Sequence, residues 1–166
     1  DYPFSLRHDL INQIKVLKKK FPNYESFKDA GIKDIFSKEQ IKESFIPQVF
    51  ELKTSLFINN GEMNFTSIDL PEEIQFSPVL GISANDYDKD GDLDLVLGGN
   101  LFGVKPEVGR YDSSYGAYLE NNGDANFKYH SDGKGISIKG EIRKIISDDN
   151  FLIFSRNNNQ IIIYEF

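Results

Sequence analysis

The sequence contains no cysteine and two histidines among its 166 residues. Without thiols nothing in it depends on redox state, and the compartment is left open. It has no long apolar run either; nothing approaches the roughly 20 residues that a spanning helix needs. Positive charge is in the minority, with 19 Lys and Arg against 26 Asp and Glu and a net charge of −7. That balance argues against nucleic acid as a partner and does not suggest an anionic membrane surface. Low-complexity segments are missing too, and 39% apolar with 13% aromatic residues suits one ordinary globular domain or part of a larger one. The chain opens on Asp1 without a signal-peptide pattern, so it reads as a piece of a longer polypeptide.

What is present falls into two textures. Residues 1–46 read as helical: Leu6, Leu10, Ile14 and Leu17, with Ile11 beside them, recur at helical spacing, and Lys15, Lys18, Lys19 and Lys20 cluster toward the C-terminal end of that pattern. The Lys run is read as a solvated face that also suits the helix dipole. A short second helix is expected over Glu25 to Ala30, stopping at Gly31. A third is announced by Ser37-Lys38-Glu39-Gln40, which fits a capping box, and ends before Pro47. From about Gln48 onward, β-branched and aromatic runs punctuated by Asn-Gly, Asp-Gly and Gly-Gly predict strands near 49–58, 63–69, 79–85, 93–98, 116–121, 126–130, 141–147, 151–155 and 160–166.

An internal repeat orders these strands. Leu56-Phe57-Ile58-Asn59-Asn60-Gly61-Glu62-Met63-Asn64-Phe65 matches Tyr118-Leu119-Glu120-Asn121-Asn122-Gly123-Asp124-Ala125-Asn126-Phe127 at an offset of 62. In each, a strand runs into Asn-Asn-Gly, which permits the positive φ of a tight hairpin, and then into an outgoing strand. The same offset takes Leu80 to Ile142 and Ala84 to Ile146; further on, Leu93 aligns with Phe151, Leu95 with Ile153 and Asn100 with Asn158, an offset of 58. A sheet-forming unit recurring at this spacing predicts a mainly β fold, a partial β-propeller of antiparallel four-stranded blades with an N-terminal helical insertion at 1–46 and blades over 47–166. One blade is complete (79–130). Two outer strands of a preceding blade and three strands of a following one flank it, and the last strand is missing. A self-contained β-sandwich is the alternative.

Between the predicted strands 79–85 and 93–98 lies Asp86-Tyr87-Asp88-Lys89-Asp90-Gly91-Asp92-Leu93-Asp94. Asp titrates near pH 4, so protons do not relieve this like charge at neutral pH. Asp86, Asp88, Asp90 and Asp94 occupy positions 1, 3, 5 and 9 of the loop; Gly91 supplies the sharp turn, and Asp92 is assigned its backbone carbonyl, with its side chain in solvent. Alternating oxygen donors along a tight loop suit Ca²⁺, which takes six to eight oxygens, better than Mg²⁺. Position 12 is Leu97 rather than the bidentate Glu of an EF-hand, and the flanks are strands. The plainer alternative is a solvated acidic turn. The second copy of the unit has only Asp148-Asp149-Asn150 at this place and is expected to bind nothing.

The motif Asp86-Tyr87-Asp88-Lys89-Asp90-Gly91-Asp92-Leu93-Asp94, together with the Asn-Asn-Gly-x-x-Asn-Phe hairpins, resembles the FG-GAP or VCBS repeat, the blade motif shared with integrin α-subunit propellers. The match covers roughly residues 50–166. The resemblance implies a calcium-stapled, seven-bladed propeller in an extracellular, cell-surface or periplasmic protein, with the remaining blades supplied by the full-length chain.

Catalytic chemistry finds little support in these residues. His8 and His130 lie in different regions with no motif around either, and Ser113 and Ser114 lack a nucleophile-elbow context. Glu72-Glu73 is read as solvated rather than half of a glycosidase pair. The segment 101–115, with Phe102, Lys105, Glu107, Arg110, Tyr111 and Tyr115, either packs as a connection or presents a ligand site. The expectation is therefore a non-enzymatic binding or scaffold module for a protein or glycan, with structural Ca²⁺; the alternative is a non-catalytic part of a polysaccharide-acting enzyme.

Overall fold

The computed structural model describes residues 1–148 and 150–165; Asp149 and the end of the last predicted strand, Phe166, lie outside the described residues. The chain divides into two compact units, Asp1–Phe50 and Glu51–Phe166. Among the described residues no helix is long and apolar enough to cross a membrane.

The first unit holds four short helices: α1 (Arg7–Gln13), α2 (Leu17–Lys20), α3 (Ile32–Ile35) and α4 (Lys38–Glu43). Leu17, Phe21, Ala30 and Ile35 form its core, with Leu10, Ile11, Ile14 and Phe27 packed against them. The helix expected through Leu17 is interrupted at Ile14. The turn after α2 is fixed by Arg7, whose Nε and Nη2 donate to the carbonyls of Phe21 and Pro22. No helix forms over Glu25 to Ala30. There Asn23 and Ser26 bond each other's backbone, a local alternative to the helical ladder. Gly31 begins α3 rather than ending a helix, its N–H donating to Asp34 Oδ2. The capping box at Ser37 does form: Gln40 N donates to Ser37 Oγ and Ser37 N to Gln40 Oε1.

Among the described residues the second unit is mainly β, with three antiparallel sheets in chain order. The first pairs β1 (Ser55–Asn59) with β2 (Phe65–Asp69). The middle sheet runs β3 (Val79–Asn85), β4 (Asp94–Gly99), β5 (Ala117–Asn121), β6 (Phe127–Tyr129). The third runs β7 (Ile142–Ser147), β8 (Phe151–Arg156), β9 (Ile162–Glu165). The strand expected from 49 starts only at Ser55. Asp69 at the end of β2 pairs with Ser55 and leaves nothing for earlier residues, and the Gln75 side-chain amide takes both backbone groups of Thr54.

The two Asn-Asn-Gly hairpins make the same backbone bonds. Asn60 N donates to Asn64 O and Asn122 N to Asn126 O; Asn64 N donates to Gly61 O and Asn126 N to Gly123 O. Positive φ falls not on the asparagines but on the glycine and the two residues after it: Gly61, Glu62 and Met63 in one, Gly123, Asp124 and Ala125 in the other.

Alternation along the strands decides how the sheets stack. Leu97, Ala117 and Leu119 of the middle sheet face Leu56 of the first, with Leu95 and Val79 alongside. Val96 and Tyr118 face the opposite way, against Ile142, Ile145, Leu152 and Phe154 of the third. The β3–β4 ladder pairs Val79 with Gly99, Gly81 with Gly98, Ile82 with Leu97, Ser83 with Val96 and Ala84 with Leu95. The β7–β8 ladder pairs Ile142 with Arg156, Lys144 with Ser155, Ile145 with Phe154, Ile146 with Ile153 and Ser147 with Leu152. These coincide pair for pair, bulge included, when β3 is moved by 63 and β4 by 57. A bond outside the ladders agrees: Asn100 N donates to Pro78 O, and Asn157 N to Glu141 O.

The sequence alignment at offsets of 62 and 58 is thus one residue out in these two strands. A one-residue slip moves every side chain to the other face. With the corrected equivalence, Leu95 and Leu97 face the preceding sheet, as do Leu152 and Phe154. The sheets stack front to back in one repeated sense, not as two like faces meeting. They approach closest where β3 and β7 run side by side: a Cβ on Gly98 would lie 2.6 Å from Ile142 Cδ1, one on Gly81 3.0 Å from Ile145 Cγ1, and Ser83 Oγ donates to Ser147 Oγ at 2.8 Å.

Candidate metal centre

The loop joining β3 to β4 is folded by its own carboxylates. Asp86 accepts from the N–H groups of Asp90 through Oδ1 and of Gly91 through Oδ2, both at 3.1 Å. Asp88 Oδ1 accepts from Asp90 N at 3.3 Å, and Asp90 Oδ1 from Asp92 N at 2.9 Å. Lys89 and Gly91 carry the reversal with φ of 65° and 100°. A Cβ on Gly91 would meet nothing within 4 Å, so it is backbone conformation rather than space that favours glycine there.

Asp94 opens β4 and is fully buried. It accepts three bonds: Oδ2 from Tyr87 N at 3.1 Å and Tyr118 Oη at 2.7 Å, and Oδ1 from Asn121 N at 2.9 Å. Asn121 Nδ2 returns to the loop by donating to Leu93 O. Burial, and then the bond to Asp94, push the Tyr118 phenol far above its ordinary value, so it stays a donor.

Three of the four predicted carboxylate ligands converge, Asp92 having been assigned only its carbonyl. Asp86, Asp88 and Asp94 each offer an oxygen, all within 4.8 Å of one another. Oxygens bound to one Ca²⁺ at 2.3–2.6 Å stand at most about 5 Å apart, so this donor set fits a single ion of that size. Asp90 and Asp92 are not in the cluster. The Asp90 carboxylate holds the loop backbone, and Asp92 Oδ2 points at the β5–β6 hairpin, 3.6 Å from where a Gly123 Cβ would stand. Lost hydration, together with the neighbouring Asp94 and Asp90 charges, raises the Asp88 carboxyl above the ordinary range.

Sequence reasoning missed the groups that the middle sheet contributes. Tyr118 and Asn121 of β5 hold Asp94, and β5 is paired to β4 through Val96 and Tyr118. Beside them Glu120 Oε2 lies 2.8 Å from His130 Nε2 and 3.2 Å from Lys134 Nζ, which in turn stands 5.0 Å from the Tyr118 ring centroid. The remaining sequence candidates scatter. His8 bonds Tyr24 in the first unit, and Ser114 belongs to a buried network around Asn100. Glu72 and Glu73 sit in a 3-10 turn (Glu72–Phe76). In 101–115, Leu101 bridges Tyr111, Arg110 covers the Phe102 ring at 5.2 Å, and Phe102 N donates to the carboxylate of Glu141. No protein-family model, no curated protein and no solved structure matches this chain.

Proposed function

We propose that this chain is an arc of a calcium-stapled β-propeller, serving as a binding or scaffold module of a secreted or surface protein for a protein or glycan partner. The observation that carries the reading is the repeated front-to-back stacking of equivalent sheets. Such head-to-tail contacts generate a ring when the rotation closes, whereas a sandwich of two sheets brings like faces together. The uncovered faces support it. Ile82 is 61% exposed where its counterpart Ile145 is 5%, and Ile163 of β9 is 62% exposed where Tyr118, its counterpart in β5, is 3%. Ile82 lies on the face toward the two-stranded first sheet, where two further strands of that sheet would cover it, and Ile163 lies on a face that one more sheet of the same kind would cover.

In this reading Ca²⁺ is structural. It would be held by Asp86, Asp88 and Asp94, would cancel their mutual repulsion, and would fix the crossing from β3 to β4. Ligand that binds only the folded state stabilises it by about 2.7 kcal/mol at one hundred times Kd. Thermal unfolding in excess EDTA and then in Ca²⁺ or Mg²⁺ is the test. Asp88→Asn is the right control, because Asp88 is exposed and accepts only one long bond, whereas Asp94 is needed for its buried hydrogen bonds whether or not metal is present. A Ca²⁺-specific rise in midpoint that Asp88→Asn abolishes is expected. Equal midpoints in EDTA and Ca²⁺ would overturn the metal assignment.

A further inference from the structure

Asn-Gly occurs twice in the chain, at Asn60-Gly61 and Asn122-Gly123, once in each of the two matching hairpins. The dipeptide has a chemistry of its own. With no side chain in the way, the glycine nitrogen can reach the carbonyl carbon of the Asn side chain, and glycine has the torsional range to close that ring. In a folded chain the reaction is limited by the bonds that hold these two groups.

In the β1–β2 hairpin both groups are held. Gly61 N donates to Asn59 Oδ1 at 2.9 Å, and Asn60 Nδ2 donates to Thr66 Oγ1 at 2.8 Å. In the β5–β6 hairpin neither bond forms, although the backbone bonds are the same. Asn121, the counterpart of Asn59, is drawn instead to the acidic loop. Its Nδ2 donates to Leu93 O at 3.2 Å, and its Oδ1 is buried without a partner among the described residues. Lys128 stands opposite Glu120 where Thr66 stands opposite Ile58, and an ammonium cannot accept a bond from an amide. Among the described residues nothing bonds the Gly123 N–H or the Asn122 side-chain amide, and Asn122 is exposed.

We infer that Asn122 is a site of self-modification, and that Asn60 is protected from the same reaction. The Gly123 nitrogen loses its proton and attacks Asn122 Cγ; the bond from Cγ to Nδ2 breaks, and ammonia leaves. Water then opens the resulting succinimide at one of its two carbonyls, giving aspartate or isoaspartate. A neutral amide becomes a carboxylate, one negative charge beyond the −7 of the chain. The new charge falls beside the acidic loop, since Asp92 Oδ2 lies 3.6 Å from where a Gly123 Cβ would stand. In the isoaspartyl form the main chain also gains a methylene next to Asn121, whose N–H holds Asp94. The inference stands on the two hairpins and does not rest on the proposed function.

The test is to incubate the full chain in EDTA at mildly alkaline pH, and to follow amide-to-acid conversion at both sites by peptide mapping and tandem mass spectrometry. EDTA keeps the metal assignment out of the comparison. Each bond that must break first is worth about a threefold factor, so Asn122 should convert roughly tenfold faster than Asn60. In urea the two rates should converge, because both sites are Asn-Asn-Gly. Lys128→Thr restores the hydroxyl acceptor and should slow Asn122, whereas Thr66→Val should speed Asn60, each by about threefold. The inference is overturned if Asn60 keeps pace with Asn122 in the folded chain. It is equally overturned if Asn122 stays intact until urea is added, or if neither substitution changes the rate in its own hairpin.

Discussion

Gly98→Ala probes the stacking directly. The new methyl carbon would stand 2.6 Å from Ile142 Cδ1, 3.0 Å from its Cγ2 and 3.1 Å from its Cβ, roughly 1 Å inside the optimal carbon–carbon separation. Gly98 does not have positive φ, so the backbone accepts alanine and the cost comes from the contact alone. Overpacking of this kind costs about 1–3 kcal/mol, less about 0.4–1 kcal/mol for the stiffer unfolded chain. Ile142→Val removes Cδ1, the nearest atom, and by itself costs about 0.5–1.5 kcal/mol. The double variant should therefore be less destabilised than the sum of the single ones, by about 1 kcal/mol. Urea denaturation of all four proteins in one buffer closes the cycle, provided the m-value holds constant. Additivity within about 0.5 kcal/mol would mean that Gly98 and Ile142 do not meet, and the front-to-back arrangement of the middle and third sheets would fall with it.

Two further outcomes are accessible to the same assay. Asn100 is buried with a φ of 84°; its Nδ2 donates to the carbonyls of Ser114 and Gly140, and its Oδ1 accepts from Ser77 Oγ and Ser114 N. Asn100→Ala strands these groups at about 1–3 kcal/mol each, so a loss of more than 3 kcal/mol is expected; a loss under 1 kcal/mol would contradict the network. The Glu141 carboxyl is held below the usual carboxylate range, first by the Phe102 N–H and then by Asn157, against some burial. A depressed carboxylate stabilises the fold above its unfolded pKa of about 4.3, and that contribution fades as pH falls through the folded value. Glu141→Gln should be less stable than the parent at pH 7, and its stability should fall less steeply below about pH 4; parallel pH curves would refute the assignment.

The strand positions and both hairpins were legible because local chemistry writes them. Asn-Asn-Gly followed by Asn-Phe recurs with matching spacing, and the turns it makes are superimposable. The face of each strand was harder to read. Ile145-Ile146 and Leu152-Ile153 place bulky apolar residues next to each other, so either member satisfies a match to Ile82 or Leu95. A strand apolar on both faces has no parity to read. Only the ladder pairs with their bulge break the tie. At the acidic loop, the three converging aspartates were among those predicted. The side chains that hold Asp94 were not, because Tyr118 and Asn121 come from a strand more than 20 residues later and contact the loop only once β5 has paired. In the first unit the helical periodicity was real, but side-chain bonds from Asn23, Ser26 and Arg7 outcompeted it over short stretches.

Between the middle and third sheets the narrow approach at Gly81 and Gly98 faces a wide one at a cavity of about 250 Å³ lined by Tyr118 and Tyr164, so the third sheet is set against the middle one like a wedge. The taper of that wedge fixes the curvature of the stack, and the side-chain volume at these two glycines is its adjusting screw. Larger residues there would pry the narrow side apart, flatten the arc and increase the number of sheets needed to complete a circumference. In the proposed propeller the glycines would thus bear on the size of the ring as well as on the packing of neighbouring sheets.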